Sequence, residues 1–236
     1  MKFLRSSSGS AMGDLSLSGH PDLSWLNAGR YLAVLLLLSS YPLSFVIPAT
    51  WGWENGVLEN LQVVVLLGGL LTSIVFSQKG RHRDSQRVAL GAMLIWTVAA
   101  ARELSWGAVF LTPTAMTETG PAFSARLLPY HGLVDTLVVL AVLASVLLFV
   151  LGRLFGLLIQ QVRQGSFPCV EAGLMILAAL GSTYAEGHLH VAGHLNLPEV
   201  QCQVIEEFCE LVAYVALYLA QARFFMTPRA RARLYR

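Results

Sequence analysis

Charge is scarce in this chain. Of its 236 residues only 16 are Lys or Arg and 14 are Asp or Glu, 13% together, about half the share found in a soluble domain, whereas 55% are apolar. So few charges cannot cover a water-facing surface, and an ordinary soluble enzyme is excluded. Cysteine is nearly missing too. Cys169, Cys202 and Cys209 make no even set and stand in no CxxC or Cys/His spacing, which excludes a disulfide scaffold and a zinc knuckle and leaves three helix-packing residues. No small-residue cleavage pattern follows the first apolar run, so no cleaved signal peptide is expected. The only dense basic stretch is a short tail beside the last apolar window, suited to anionic lipid rather than to nucleic acid.

What the chain does have is long apolar windows and a mean hydropathy of +0.60. Runs of about 20 apolar residues are what a helix needs to cross a bilayer, and six are present, at about 31–49, 56–77, 88–111, 130–152, 169–191 and 204–226. The expected architecture is an all-α, polytopic membrane helical bundle. A polar segment over 1–29 precedes a single membrane domain over 30–226, and a basic tail occupies 227–236. Pro42 and Pro48 shorten or kink the first span, and Gly68–Gly69 admits a neighbouring helix to the second.

The positive charges orient this bundle. Fourteen of the 16 Lys and Arg residues lie in the N-terminal segment, the 78–87 loop, the fourth connection and the tail, whereas the opposite face has Arg126 alone and Arg102 lies within the third span. Cytoplasmic loops carry the excess of Lys and Arg, so both termini are expected in the cytoplasm and the protein in an inner (plasma) membrane. Ten of the 14 acids and four of the six histidines then fall in the outer half. Helical spacing of four residues groups Glu186 with His190 and His194, His131 with Asp135, and Glu206 with Glu210. Glu54, Glu59, Glu103 and Glu207 stand at the same level.

Ionisable side chains inside a span cost on the order of 2.5–3.5 kcal/mol each on insertion scales, so a set of them at one depth should face an interior site. Mixed imidazole and carboxylate donors suit a divalent metal such as zinc, iron or manganese. The expected ligands are His131, Asp135, Glu186, His190, His194 and Glu206, with Glu103, Glu210 or Glu59 as the catalytic carboxylates. Plainer readings compete: Glu54, His188 and His194 as solvated loop residues, Arg102 as half of a structural ion pair, and Glu206 or Glu207 as first-turn acids favoured by the helix dipole. Trp51, Trp53, Trp106, Tyr130 and Tyr214 read as interface or packing residues.

The segments ENGVLENLQ (Glu54 to Gln62), RELSWG (Arg102 to Gly107), YHGLVD (Tyr130 to Asp135) and EEFCEL (Glu206 to Leu211) resemble a family of uncharacterised bacterial multi-pass inner-membrane proteins with an EEISWGQ-like block. Here that block has Arg102 in place of its first acid and Ala108 in place of its final Gln. A more distant resemblance is to alkaline-ceramidase-like intramembrane metal hydrolases. That likeness implies a zinc site at His190 and His194, with His131, Asp135 and Ser105 as the remaining members.

Four functions compete on this reading. The first is a metal-dependent, hydrolase-like intramembrane enzyme acting on a lipid or lipid-linked substrate. The others are a cation or proton-coupled transporter, a haem-binding cytochrome using His131 with His190 or His194, and a non-catalytic assembly subunit. Membrane lipids are the expected partners, with homo- or hetero-oligomers within the membrane also open.

Overall fold

The structure, a computed structural model, describes residues 24–80, 83–188 and 197–226. Seven α-helices occur among them: α1 (Ser24–Leu43), α2 (Val57–Lys79), α3 (Arg83–Glu103), α4 (His131–Leu151), α5 (Leu154–Arg163), α6 (Cys169–Ala185) and α7 (Glu199–Met226). The α3–α4 connection adds two 3-10 turns and a small antiparallel hairpin, in which β1 (Ala115–Thr117) pairs with β2 (Gly120–Ala122) through Met116 opposite Pro121. By length and composition, α2, α4 and α7 could each cross a membrane, and α6 is a shorter apolar helix. The protein is thus helical and of membrane type. α4 shows why: Leu133, Leu137, Leu140 and Leu147 are exposed, and only Val134 and Ser145 are buried. A helix apolar all round needs lipid on its open side.

α7 is the hub. It packs against α1, α2 and α6; α3 packs on α2 and touches α7 through Trp96 and Glu103, and α4 packs on α3. Small residues allow the close approach, since Ala33, Ala178 and Ala216 are fully buried where α1, α6 and α7 meet. On the α2 side, Leu58 packs with Val204, Phe208 and Leu211.

Two polar knots tie the helices together inside this apolar frame. Gln221 of α7 accepts hydrogen bonds from Trp96 Nε1 at 2.5 Å and from Ser73 Oγ at 3.2 Å, and donates to the Gly69 carbonyl at 3.1 Å and to Thr72 Oγ1 at 2.9 Å. At the basic end Glu171, with no exposure, accepts from Arg30 Nη2 at 2.8 Å and from Arg223 Nε at 2.5 Å, while Arg223 Nη2 also reaches Asn27 Oδ1 at 2.7 Å. That carboxylate joins α1, α6 and α7.

Several boundaries differ from the sequence expectation. The third helix stops at Glu103 rather than 111, because Ser105, Trp106 and Gly107 all take positive φ (44°, 58° and 99°), a run that no right-handed helix can contain. The fifth expected span ends at Ala185 rather than 191. Gly187 (φ 79°) closes it, with Gly187 N–H on the Tyr184 carbonyl and His188 N–H on that of Thr183, the Schellman pattern. α6 thus ends before Glu186, and His190 and His194, the other members of the expected stripe, lie outside the described residues. α7 starts at Glu199, so Glu206 and Glu207 stand about two turns inside it, beyond the reach of the first-turn dipole. α1 ends at Leu43, just after Pro42.

Gly69 is where this packing tolerates least. A Cβ there would stand 2.4 Å from the Trp96 indole, whereas one on Gly173 would meet nothing within 4 Å. Gly69→Ala is expected to cost about 1–3 kcal/mol through forced displacement of Trp96, and Gly173→Ala to be neutral or stabilising by up to about 1 kcal/mol. Thermal unfolding in detergent, followed by circular dichroism, measures both.

Candidate functional site

The acids of the outer end do not form one undivided cluster, because α7 presents them on different faces. Glu206, Glu210 and Tyr214 repeat every four residues and share a face. That face turns toward α6, where Glu186 caps the helix C-terminus. Oxygen atoms of Glu186, Glu206 and Glu210 all lie within 4.8 Å of one another. Beside them is a cavity of about 300 Å³ lined by Arg102, Ser182, Glu186, Glu210 and Tyr214 among others. The Arg102 guanidinium stands 3.7 Å from Glu210 and is 63% exposed, so it leans over the open side of the cavity. Ser182 Oγ lies 3.5 Å from the same Glu210 oxygen.

Glu207 faces the other way. Gln62, fully buried on α2, donates its amide both to the Glu207 carboxylate at 2.8 Å and to its backbone carbonyl at 3.0 Å. Glu103 sits behind Tyr214, buried, and accepts the tyrosine hydroxyl at 2.6 Å. It reaches the cavity only through that ring. Glu59 reaches back from the first turn of α2 to the backbone N–H of Asn55, while Asn60 bonds the Asn55 and Gly56 carbonyls. These contacts build the start of α2 much as a capping box does. Of the three carboxylates expected to act in catalysis, Glu210 alone lines the cavity.

The remaining expected residues are placed elsewhere. His131 and Asp135 are exposed on α4, a helix that packs on α3 and not on α7; among the described residues neither joins the carboxylate group. Ser105 Oγ donates to Glu54 at 2.7 Å, and the Phe123 N–H donates to the other Glu54 oxygen at 2.9 Å. Glu54 is thus no solvated loop residue; it pins the α3–α4 connection to the α1–α2 connection. Trp53 packs on Gly120 (φ 110°), where any Cβ would meet the indole at 2.4 Å. Tyr130 secures the left-handed turn by donating to the Trp106 carbonyl at 2.8 Å. His188 lies 3.1 Å from Glu186.

Sequence reasoning passed over Ser182 and assigned Tyr214 to packing. The four-residue repeat Glu206, Glu210, Tyr214 was the available signal for the tyrosine. Nothing in the local sequence marks Ser182, which reaches the site through the packing of α6 on α7.

The donor set decides which ion could fit. Two oxygens on opposite sides of an ion are about 4.0–4.2 Å apart for magnesium and about 4.6–5.2 Å for calcium. Oxygens no more than 4.8 Å apart lie within the span that one such ion could bridge. Among the described residues the group is all-oxygen, a set that suits magnesium, manganese or calcium more than zinc.

No family model, no curated protein and no solved structure matches the chain.

Tyr214→Phe removes the hydroxyl that bonds a 6%-exposed carboxylate, and is expected to lower stability by about 1–3 kcal/mol. Glu103→Gln keeps an acceptor for Tyr214 and should lose less. Urea or thermal unfolding of the two variants beside wild type checks the order.

Proposed function

We propose that the protein is a membrane-embedded enzyme, dependent on a divalent metal and hydrolase-like, that acts on a lipid or lipid-linked substrate at the outer leaflet of an inner (plasma) membrane. The observation that carries this reading is the convergence of Glu186, Glu206 and Glu210 within 4.8 Å, beside a cavity over which Arg102 leans. A bound divalent ion would supply Lewis acidity and a water of lowered pKa. The chain's own groups supply the rest. Arg102 is placed to hold an anionic group of the substrate, since a guanidinium forks onto phosphate or carboxylate oxygens. Tyr214 and Ser182 offer hydroxyls on the cavity wall, and Glu103 fixes the direction of the Tyr214 hydroxyl, acting as a positioning residue.

Cation transport is the competing reading, and it requires polar groups that continue toward the other face. Below the cavity α7 offers Gln221, whose amide is already engaged by Gly69, Thr72, Ser73 and Trp96. That arrangement favours a closed site over a path.

The reading also includes six spans with both termini cytoplasmic, supported by the segregation of charge. Cationic residues from α1, α2, α3, α5 and α7 gather at one end, and the carboxylates lie about 20 Å away along α7, the rise from Glu210 to Arg223. An alkaline phosphatase joined after Arg236 is expected to be inactive, and periplasmic activity there would overturn this topology.

Manganese binding to the purified protein, followed by electron paramagnetic resonance, tests the metal. Glu186→Gln and Glu210→Gln are each expected to weaken it tenfold or more. Tyr214→Phe should keep the ion yet reproduce the change in cellular lipid composition seen on deleting the gene. If wild type binds no divalent ion and the deletion leaves the lipids unchanged, the enzyme reading gives way to transport or assembly.

A further inference from the structure

The opposite end of the bundle carries a second feature, independent of the carboxylate site. After α4 the chain turns sharply at Gly152 and at Arg153, which has φ 53°, and α5 follows for ten residues, about 15 Å. α5 does not run along the bundle. Leu154 and Leu157 near its start pack against the group formed by Val88, Ala89 and Phe225, and Gln161 near its end donates to the Phe224 carbonyl at 3.3 Å. Both ends of α5 therefore meet the same level of α7, so the helix lies across the basic end. Its outward stripe is Phe155, Ile159 and Val162, 75%, 53% and 59% exposed, flanked by Arg153 and Arg163. A short amphipathic helix with apolar residues outward and arginines at its ends is built to lie in a bilayer interface.

Beneath α5 is an open groove of about 360 Å³. α7 forms its floor through Leu217, Ala220 and Phe224, α3 and α6 supply Ala92 and Met175, and Leu158 of α5 covers its end. Gln221 is the one polar side chain in the lining, and its amide is turned to α2 and α3 as described above. The groove is thus hydrocarbon-like along its length.

Charge selects the occupant. At this end the described residues include seven cations (Arg30, Lys79, Arg83, Arg87, Arg153, Arg163 and Arg223) and two acids, Asp84 and Glu171. Asp84 is engaged by Arg87 at 3.5 Å, and Glu171 by Arg30 and Arg223. Arg153 and Arg163 are exposed, and neither has an acid partner among the described residues. Anionic lipid headgroups are drawn to such juxtamembrane arginines.

We propose that the groove beneath α5 holds an acyl chain of an anionic phospholipid from the basic-side leaflet, with the lipid phosphate at Arg153 and Arg163. The lipid seals the space between α3 and α6 and fastens α5 to the bundle.

Native mass spectrometry of the full chain, stripped of lipid in a nonionic detergent and titrated separately with dioleoyl phosphatidylglycerol and dioleoyl phosphatidylcholine, tests this. Wild type is expected to take up one phosphatidylglycerol with at least tenfold preference over phosphatidylcholine. Arg153→Gln with Arg163→Gln should erase the preference while retaining weak binding of both lipids. Ala92→Leu and Ala220→Leu fill the groove from two different helices, and each variant that keeps wild-type helicity should bind both lipids tenfold more weakly. Equal binding of the two lipids by wild type overturns the proposal. So does an undiminished phosphatidylglycerol adduct in a folded groove-filling variant, or an unchanged preference in the double arginine variant.

Discussion

A polar atom at the depth of the lipid chains, if unpaired, costs several kcal/mol, and α7 carries such atoms at three levels. Glu206, Glu207, Glu210 and Tyr214 stand at the acidic end, Gln221 about two turns beyond Tyr214, and Arg223 about half a turn further at the basic end. The arrangement of the other helices follows from satisfying them. α2 supplies Gln62 to Glu207, and Ser73, Thr72 and the Gly69 carbonyl to Gln221. α3 supplies Trp96 to Gln221, and Glu103 to Tyr214. α1 and α6 supply Asn27 and Glu171 to Arg223. The apolar contacts between these helices are broad but directionless. The polar contacts set which residue faces which, because few alternative registers would leave all of them paired.

The two ends of α7 treat charge differently, and the difference bears on function. At the basic end the buried Glu171 receives two guanidinium groups, so the carboxylate is fully paired and the trio carries a net positive charge, and replacing either arginine would leave a buried carboxylate short of a partner. At the acidic end Glu186, which is exposed, and Glu206 and Glu210, which are half-buried, gather beside one exposed arginine, 3.7 Å from Glu210. Glu54, Glu59 and Glu103 each accept a short hydrogen bond from a fixed donor, whereas Glu210 has only the longer contact from Ser182 at 3.5 Å.

Much of the fold was legible in the sequence because lipid imposes a simple rule on composition: about 20 apolar residues for each crossing, with Lys and Arg gathered on one side. The apolar windows at 56–77 and 130–152 match α2 and α4 to within two residues, whereas α7 starts five residues before its window and α1 (24–43) is displaced toward the N-terminus from the expected 31–49. The ends of the third and fifth windows were read too long. Trp106 is an ordinary residue for a helix terminus, and its left-handed backbone depends on Tyr130, 24 residues onward, donating to its carbonyl. α5 was read as connection because ten residues are too few to span a bilayer, and a helix lying across the end of a bundle has no signature in a hydropathy window.

Sequence alone determined the membrane character, the separation of acidic from basic ends, and the stripe of Glu206 with Glu210, since each follows from composition or from the 3.6-residue period. Only the tertiary structure decided which acids meet. Helical period places residues on a face but does not say which neighbour that face touches. The rotation of α7 against α2 and α6 sends Glu207 to Gln62 and Glu210 to Ser182, and the packing of α4 on α3 leaves His131 and Asp135 on an outer surface. Proximity between residues at a similar level along their helices depends on the azimuth of each helix, which is set by side-chain packing between segments far apart in the chain.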